Sequence, residues 1–247
     1  MTSLYRIMLR TSVTRGRLLA FLAGGALLDL IAYSIRVSDY AARESDLFNL
    51  LALAALPLYL PVVALVFSTS SLGDLAQDGT LVYVWLRPVA RWKVVLVALA
   101  ATLTVTLPLT LGPVWLAVWL AGASWQTFWA ITVSTALANG AYVALFTGFG
   151  LRVRHALMFG LAYVVIWEAS VATLSFGKGP AAISIRHYAE SILSHLSRQA
   201  FSVFSNSNAS PTAIDLADVW PSVIVLLAVM LVGVVLTSIL LSRQDVA

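Results

Sequence analysis

The chain of 247 residues contains no cysteine, which excludes a disulfide framework, a thiolate metal site and a cysteine nucleophile. Charge is scarce: 11% of the residues are Asp, Glu, Lys or Arg, against about a quarter in a soluble domain. Histidine is scarcer still, with 3 in all. His187 and His195 stand eight positions apart, about 12 Å along a helix, too far to share one metal. No H-E-x-x-H, G-x-S-x-G or G-x-x-x-x-G-K-[ST] pattern occurs, so intramembrane hydrolysis and a phosphate loop lack support. We assign no catalytic and no metal-ligating residue. The net charge of +4 and the pI near 9.6 come from cations scattered between apolar blocks, which argues against a nucleic-acid partner.

What is present is apolar. Hydrophobic residues make up 60% of the chain and the mean hydropathy is +0.92, so lipid is its natural solvent. A helix needs about 20 apolar residues to cross the hydrocarbon. Six runs qualify, Leu18 to Ile35, Leu47 to Thr69, Val94 to Ala121, Phe128 to Phe149, Ala156 to Phe176 and Val219 to Leu241. The expected fold is therefore an all-α integral membrane protein with six transmembrane helices, a single transmembrane domain over 1–247.

Cytoplasmic flanks are enriched in Lys and Arg. An internal N-terminus puts Arg6, Arg10, Arg15, Arg17, Arg87, Arg91, Lys93, Arg152, Arg154 and Arg243 inside, against Arg36, Arg43, Lys178, Arg186 and Arg198 outside. Both termini are thus expected in the cytoplasm. Residues 1–17 read as a retained interfacial helix touching membrane lipid, with Leu4, Ile7, Met8 and Thr11 on one face and Arg6, Arg10 and Arg17 on another; the plainer alternative is a basic flank that only orients the chain.

Three connections stand out. In 68–93, Ser70 and Ser71 are suited to cap a short helix, Asp78-Gly79 to break it, and Arg87-Pro88 to end a second one. The second connection, 150–155, is short and basic. The third, 177–218, carries Ala189, Ile192, Leu193, Leu196, Ala200, Val203 and Phe204 at helical spacing opposite Arg186, His187, Ser191, Ser194, His195, Arg198 and Ser202. This predicts an external amphipathic helix on or dipping into the outer leaflet.

The run Gln77-Asp78-Gly79-Thr80-Leu81, then Tyr83, then Leu86-Arg87-Pro88-Val89, then Arg91, resembles the first coupling helix of ABC-2 type transporter permeases. Tyr163-Val164-Val165-Ile166-Trp167-Glu168 and Ser184-Ile185-Arg186-His187-Tyr188 resemble the fifth span and outer segment of bacterial members. Val82 departs from the family, which often has an acidic residue there, as does Ala76-Gln77, where a more charged stretch is usual. The resemblance implies an N-terminal connecting helix, six spans, coupling elements at 68–93 and 150–155, and re-entrant or surface helices between the last two spans, in a bacterial inner membrane. It implies that Asp74, Gln77, Asp78, Gly79, Thr80, Arg87, Pro88, Arg91, Arg152 and Arg154 dock a separate ABC ATPase. That partner, and not this chain, would bind ATP and Mg. It implies a homodimer, or a heterodimer with a second permease, and an export path lined by the second and fifth spans. Those spans carry Asn49, Tyr59, Tyr163, Trp167 and Glu168, an apolar wall that favours hydrophobic or amphipathic cargo.

Asp29 and Glu168 lie inside spans, where an ionised group costs about 2.5–3.5 kcal/mol at the helix centre. Each either serves transport or is satisfied locally, Asp29 by a neighbour or outer water and Glu168 by Arg186, His187 or another external residue. Two other classes of function stay open: an ion-coupled secondary transporter using these acids, and a non-transporting membrane anchor for an ATPase.

Overall fold

The computed structural model describes residues 2–37, 43–77, 90–153, 155–171, 183–197 and 218–243. Among them every regular element is helical: α1 Thr2–Ser12, α2 Arg15–Val37, α3 Arg43–Leu50, a π-helical stretch π1 Leu51–Tyr59, α4 Leu60–Gln77, α5 Arg91–Ala121, α6 Trp125–Arg152, α7 Ala156–Ala162, a second π stretch π2 Tyr163–Val171, α8 Ile185–Leu196 and α9 Val219–Arg243. Five helical segments are long and apolar enough to cross a membrane, and they mark the chain as a membrane protein.

Local chemistry sets the boundaries. Gly122 adopts φ 69°, ψ 31°, the left-handed conformation that ends α5, while its N–H and that of Ala123 bond back to the carbonyls of Trp119 and Val118. Two residues later Ser124 caps α6 by accepting from the Thr127 N–H at 3.3 Å. Pro108 and Pro113 sit inside a continuous α5. Pro57, which lacks an N–H, sits inside the wide turns of π1.

At the centre, α6 packs against α4, α5, α8 and α9. Small residues permit the approach, as expected where lipid supplies no hydrophobic drive between helices. A Cβ on Gly233 would meet Ala144 backbone atoms at 2.9 Å, and one on Gly148 would meet Thr237 Oγ1 at 2.6 Å. Hydroxyls in this region bond to carbonyls within their own helices, Thr102 to Ala98, Thr110 to Thr106 and Thr147 to Val143. Asn139 ties α6 to Thr106 of α5 at 3.0 Å. The periphery is greasy: Leu19, Leu22, Leu27 and Leu30 of α2 and Leu231, Val235 and Leu236 of α9 are exposed. Arg91, Arg152 and Arg243 mark one end of the bundle. Trp119 and Trp125 mark the other, and both are 71% exposed.

Several local expectations need correction. Ser70 and Ser71 do not cap a new helix; both lie inside α4 and donate to Val66 and Ser68 carbonyls, because that helix runs on to Gln77. Arg17 does not share a face with Arg6 and Arg10, since α1 ends at Ser12 and Arg17 belongs to α2, where its guanidinium donates to Ser70 Oγ at 2.6 Å. Leu4 and Met8 of α1 are buried while Ile7 is exposed, and Tyr5 donates to Thr104 of α5 at 2.8 Å. The fifth candidate span is α7 continued by π2, and its last residues, 172–176, lie outside the described residues.

The largest correction concerns α8. Its polar face does not look out: Arg186, His187, Glu190, Ser191 and Ser194 are all buried. Gln126, at the start of α6, donates to the Leu196 carbonyl at 2.9 Å, and Ser134 donates to the Ala189 carbonyl at 2.6 Å. Eight residues of α6 separate those contacts, so α8 runs antiparallel to α6 and reaches at least about 12 Å inward from the tryptophan end. It packs on α6 and α9.

Candidate functional site

The N-terminus of α8 meets π2 at Glu168, whose side chain is fully buried. One carboxylate oxygen accepts from the Tyr163 hydroxyl at 3.0 Å and the Ile185 N–H at 3.3 Å. The other accepts from the Ser184 hydroxyl at 2.6 Å and the Arg186 N–H at 3.4 Å. Two of the four donors are amides that α8 cannot satisfy within its first turn, so a carboxylate there answers both the open N–H groups and the helix dipole. Ser184 also accepts from the His187 N–H at 3.4 Å, as an N-cap does.

Arg186 is 3% exposed, yet its guanidinium does not pair with the Glu168 carboxylate. Its Nε donates to Glu190 at 2.5 Å, one turn along the same helix, and its Nη1 donates to the Glu168 backbone carbonyl at 3.4 Å. The guanidinium thus serves the Glu190 carboxylate and the Glu168 backbone, while two hydroxyls and two α8 amides meet the Glu168 carboxylate. Such an arrangement fixes geometry more than it adds stability, because removing two charges from water offsets their attraction. Tyr142 is fully buried within electrostatic reach of Glu168 and Arg186. His195, further along α8, approaches the exposed Asp218 at 3.8 Å.

Glu168 and Tyr163 were expected as path-lining residues, with Arg186 or His187 as a local partner for Glu168, and no role was given to Ser184, Glu190 or Tyr142. The signal for two of them was present: Ser184 is an N-cap residue, and Arg186 and Glu190 stand at i and i+4, able to neutralise each other and enter the bundle as a pair.

The other expected path residues are dispersed. Asn49 lies half-buried on α3. Tyr59 ends π1, its hydroxyl donating to the Leu109 carbonyl at 2.8 Å and the Phe21 carbonyl at 3.2 Å. Trp167 is half-buried on π2, its indole N–H without a partner among the described residues. The two π stretches, one in each expected lining span, touch each other. Beside π1 lie two adjoining narrow crevices that share Leu51, Ala55 and Val114.

Of the expected docking residues, Asp78, Gly79, Thr80, Arg87, Pro88 and Arg154 lie outside the described residues, and Asp74 and Gln77 are placed in the last turn of α4. Arg152 is exposed at the end of α6. Arg91 donates to the Leu241 carbonyl at 3.4 Å and to the Ser242 carbonyl, closing the end of α9. Among the described residues no group of His, Asp and Glu converges as a metal site. No protein-family model matches the chain, and no curated protein matches it. Fold and site together define a membrane protein, all-helical among the described residues, in which α8 starts on a buried acid.

Proposed function

We propose that the chain is the permease subunit of an ATP-driven ABC transporter of the ABC-2 type, exporting a hydrophobic or amphipathic substrate across a bacterial inner membrane with both termini cytoplasmic. The observation that supports it most is spatial: the described parts of both expected coupling elements, the ends of α4 and α6, lie together at the arginine-rich end of the bundle, as one docking face for an ATPase requires. A helix packed into the bundle between the last two apolar segments is a second support, since the family resemblance calls for a re-entrant or surface helix there.

On this reading a separate ATPase binds ATP and Mg and closes against residues 74–91 and 152–155. The displacement passes through packed helices that shift as bodies between discrete arrangements. The Arg91 bonds to the end of α9 carry the push from the first coupling element directly to the last span. Two permease chains flank the path, with π1 and π2 on its wall.

The test is an affinity pull-down from mild detergent with co-purifying chains identified by mass spectrometry. Wild-type protein is compared with an Asp78→Ala, Arg87→Ala double variant, leaving Arg91 in place because it also caps α9. Recovery of a nucleotide-binding chain with wild type and its loss with the variant is the expected result. Recovery of no ATPase with either protein overturns the reading and leaves an ion-coupled carrier as the better account.

A further inference from the structure

Three helices carry their own measure of the membrane. α5 and α6 lie antiparallel in a register fixed by the Asn139 bond to Thr106 and by the Trp115 indole, which donates to Thr132 Oγ1 at 3.0 Å. That register brings Trp115 level with Trp129 and, at the other end, Lys93 level with Arg152. α6 and α9 lie parallel, with Gly140 against Met230, Ala144 against Gly233 and Gly148 against Thr237. Trp129 is therefore level with Trp220, and Arg152 with Arg243. All six of these side chains are exposed. Between the two ends run uncharged stretches, 94–114 in α5, 130–151 in α6 and 221–242 in α9, each rising about 31–33 Å at 1.5 Å per residue. The hydrocarbon core of a bilayer is about 30 Å thick. One plane of indoles and one plane of cations thus stand at its two faces.

The turn between α5 and α6 stands beyond the plane of indoles, and its rings form one block. Trp125 stacks on Phe128 with centroids 5.2 Å apart and planes 4° apart, Trp129 meets both edge-on, and Trp115 reaches Phe128 from α5 at 5.8 Å. The block is not turned into the core, since Trp119 and Trp125 are both 71% exposed. No Asp, Glu, Lys or Arg occurs between Lys93 and Arg152, so the turn offers no charge to bulk water or to an ionic partner. Trp119 and Trp125 each stand about one turn beyond the plane, about 6 Å along the helix. The polar layer on each face of a bilayer is about 5–8 Å deep, and indoles favour it because the ring is apolar and the N–H is not.

We propose that the α5–α6 turn is a membrane-docking platform, seated in the headgroup layer of the leaflet at the tryptophan end by Trp115, Trp119, Trp125 and Trp129 and held there without ionic contacts. Because α4, α5, α8 and α9 all pack on α6, the platform sets the depth of the bundle. It needs no ATPase, and so stands or falls apart from the transport reading.

The test uses the full chain in phosphatidylcholine nanodiscs. With no native cysteine present, Ala123→Cys carries a single nitroxide at the turn. Its depth is read from collision with oxygen, which collects in hydrocarbon, against collision with a water-soluble nickel chelate. The expected result is intermediate collision with both reagents, unchanged in about 1 M salt. Adding Trp119→Ser and Trp125→Ser should raise collision with nickel several-fold. Full exposure to nickel without those two substitutions overturns the proposal, because the turn then stands in bulk water. Exclusion of both reagents overturns it in favour of a second copy or a partner protein covering the turn, and a shift with salt overturns it in favour of an ionic contact. A folded double tryptophan variant with unchanged depth does so as well. The first three outcomes are read with every tryptophan in place, so the proposal can fail even where the double variant does not fold.

Discussion

Gly73 of α4 and Gly150 of α6 meet backbone to backbone: a Cβ on Gly73 would lie 2.9 Å from the Gly150 carbonyl oxygen, and one on Gly150 would lie 2.8 Å from the Thr69 Cα. Backbone atoms cannot swing aside as a side chain can, so this crossing tolerates only glycine. It lies within the first expected coupling element, 68–93, and at the start of the second, 150–155, and the two are therefore joined at their roots.

Substituting Gly150→Ala forces α4 and α6 apart and should destabilise the protein by about 1–3 kcal/mol, as overpacking does. Gly112→Ala is the control. Nothing lies within 4 Å of a Cβ there, and replacing a helical glycine should stabilise by about 0.5–1 kcal/mol. Thermal melts in the same detergent check the pair; equal midpoints would show that the glycine crossing is not tight.

Glu168→Gln preserves shape but removes the carboxylate. Each oxygen of Glu168 faces two donors, so an amide NH₂ in either orientation meets two N–H or O–H groups and neither flip relieves the conflict. We expect a loss of about 1.5–3 kcal/mol and loosening of α8. The chain has no native cysteine, so a reporter at Ser191→Cys is the only thiol. It should resist a water-soluble maleimide while Glu168 is intact and react once Glu168→Gln is introduced alongside it. Equal protection in both proteins would show that the carboxylate does not hold α8.

The long apolar runs were legible because a span is specified by length and composition, which need no partner. The fifth was harder, since Glu168 and the polar positions around it belong to a site built by a segment some twenty residues later. The amphipathic pattern of α8 was legible too, but amphipathicity does not say which solvent the polar face meets. Here it turns into the bundle, where Arg186 pairs with Glu190 and its backbone amide meets Glu168. The turn at Gly122 to Ser124 obeys local rules, whereas α4 runs through Ser70 and Ser71 to Gln77, and the two hydroxyls bond back to carbonyls of the same helix instead of capping a new one. The expected docking residues rest on resemblance alone, because exposed charges carry no packing signature.

Arg91 and Arg152 share an expected docking role, and their surroundings separate them. Arg91→Ala removes bonds to the last carbonyls of α9 and should lower stability by about 0.5–1.5 kcal/mol. Arg152→Ala, at an exposed position, should change it by less than about 0.5 kcal/mol. Chemical or thermal denaturation of the two variants decides this. A purely docking Arg91 would leave both melts at the wild-type midpoint.

The membrane orientation is checked by labelling intact cells with an impermeant thiol reagent. Trp125→Cys, at the tryptophan end, should label from outside. Arg152→Cys should label only after permeabilisation. The opposite pattern would invert the topology and put the arginine-rich end on the wrong side for a cytoplasmic ATPase.

The bond set around Glu168 also imposes an order on biogenesis. Of the four groups that satisfy its carboxylate, Tyr163 is on the same segment, while Ser184, Ile185 and Arg186 are synthesised later. Until they arrive, the α7–π2 segment carries an acid at a depth where ionised groups oppose insertion by about 2.5–3.5 kcal/mol. Once the start of α8 reaches it, the same acid becomes the anchor of that helix. A chain cut before residue 184 therefore keeps a fifth segment whose acid lacks three of its four donors, and Ser184 with the first residues of α8 are the ones that supply them.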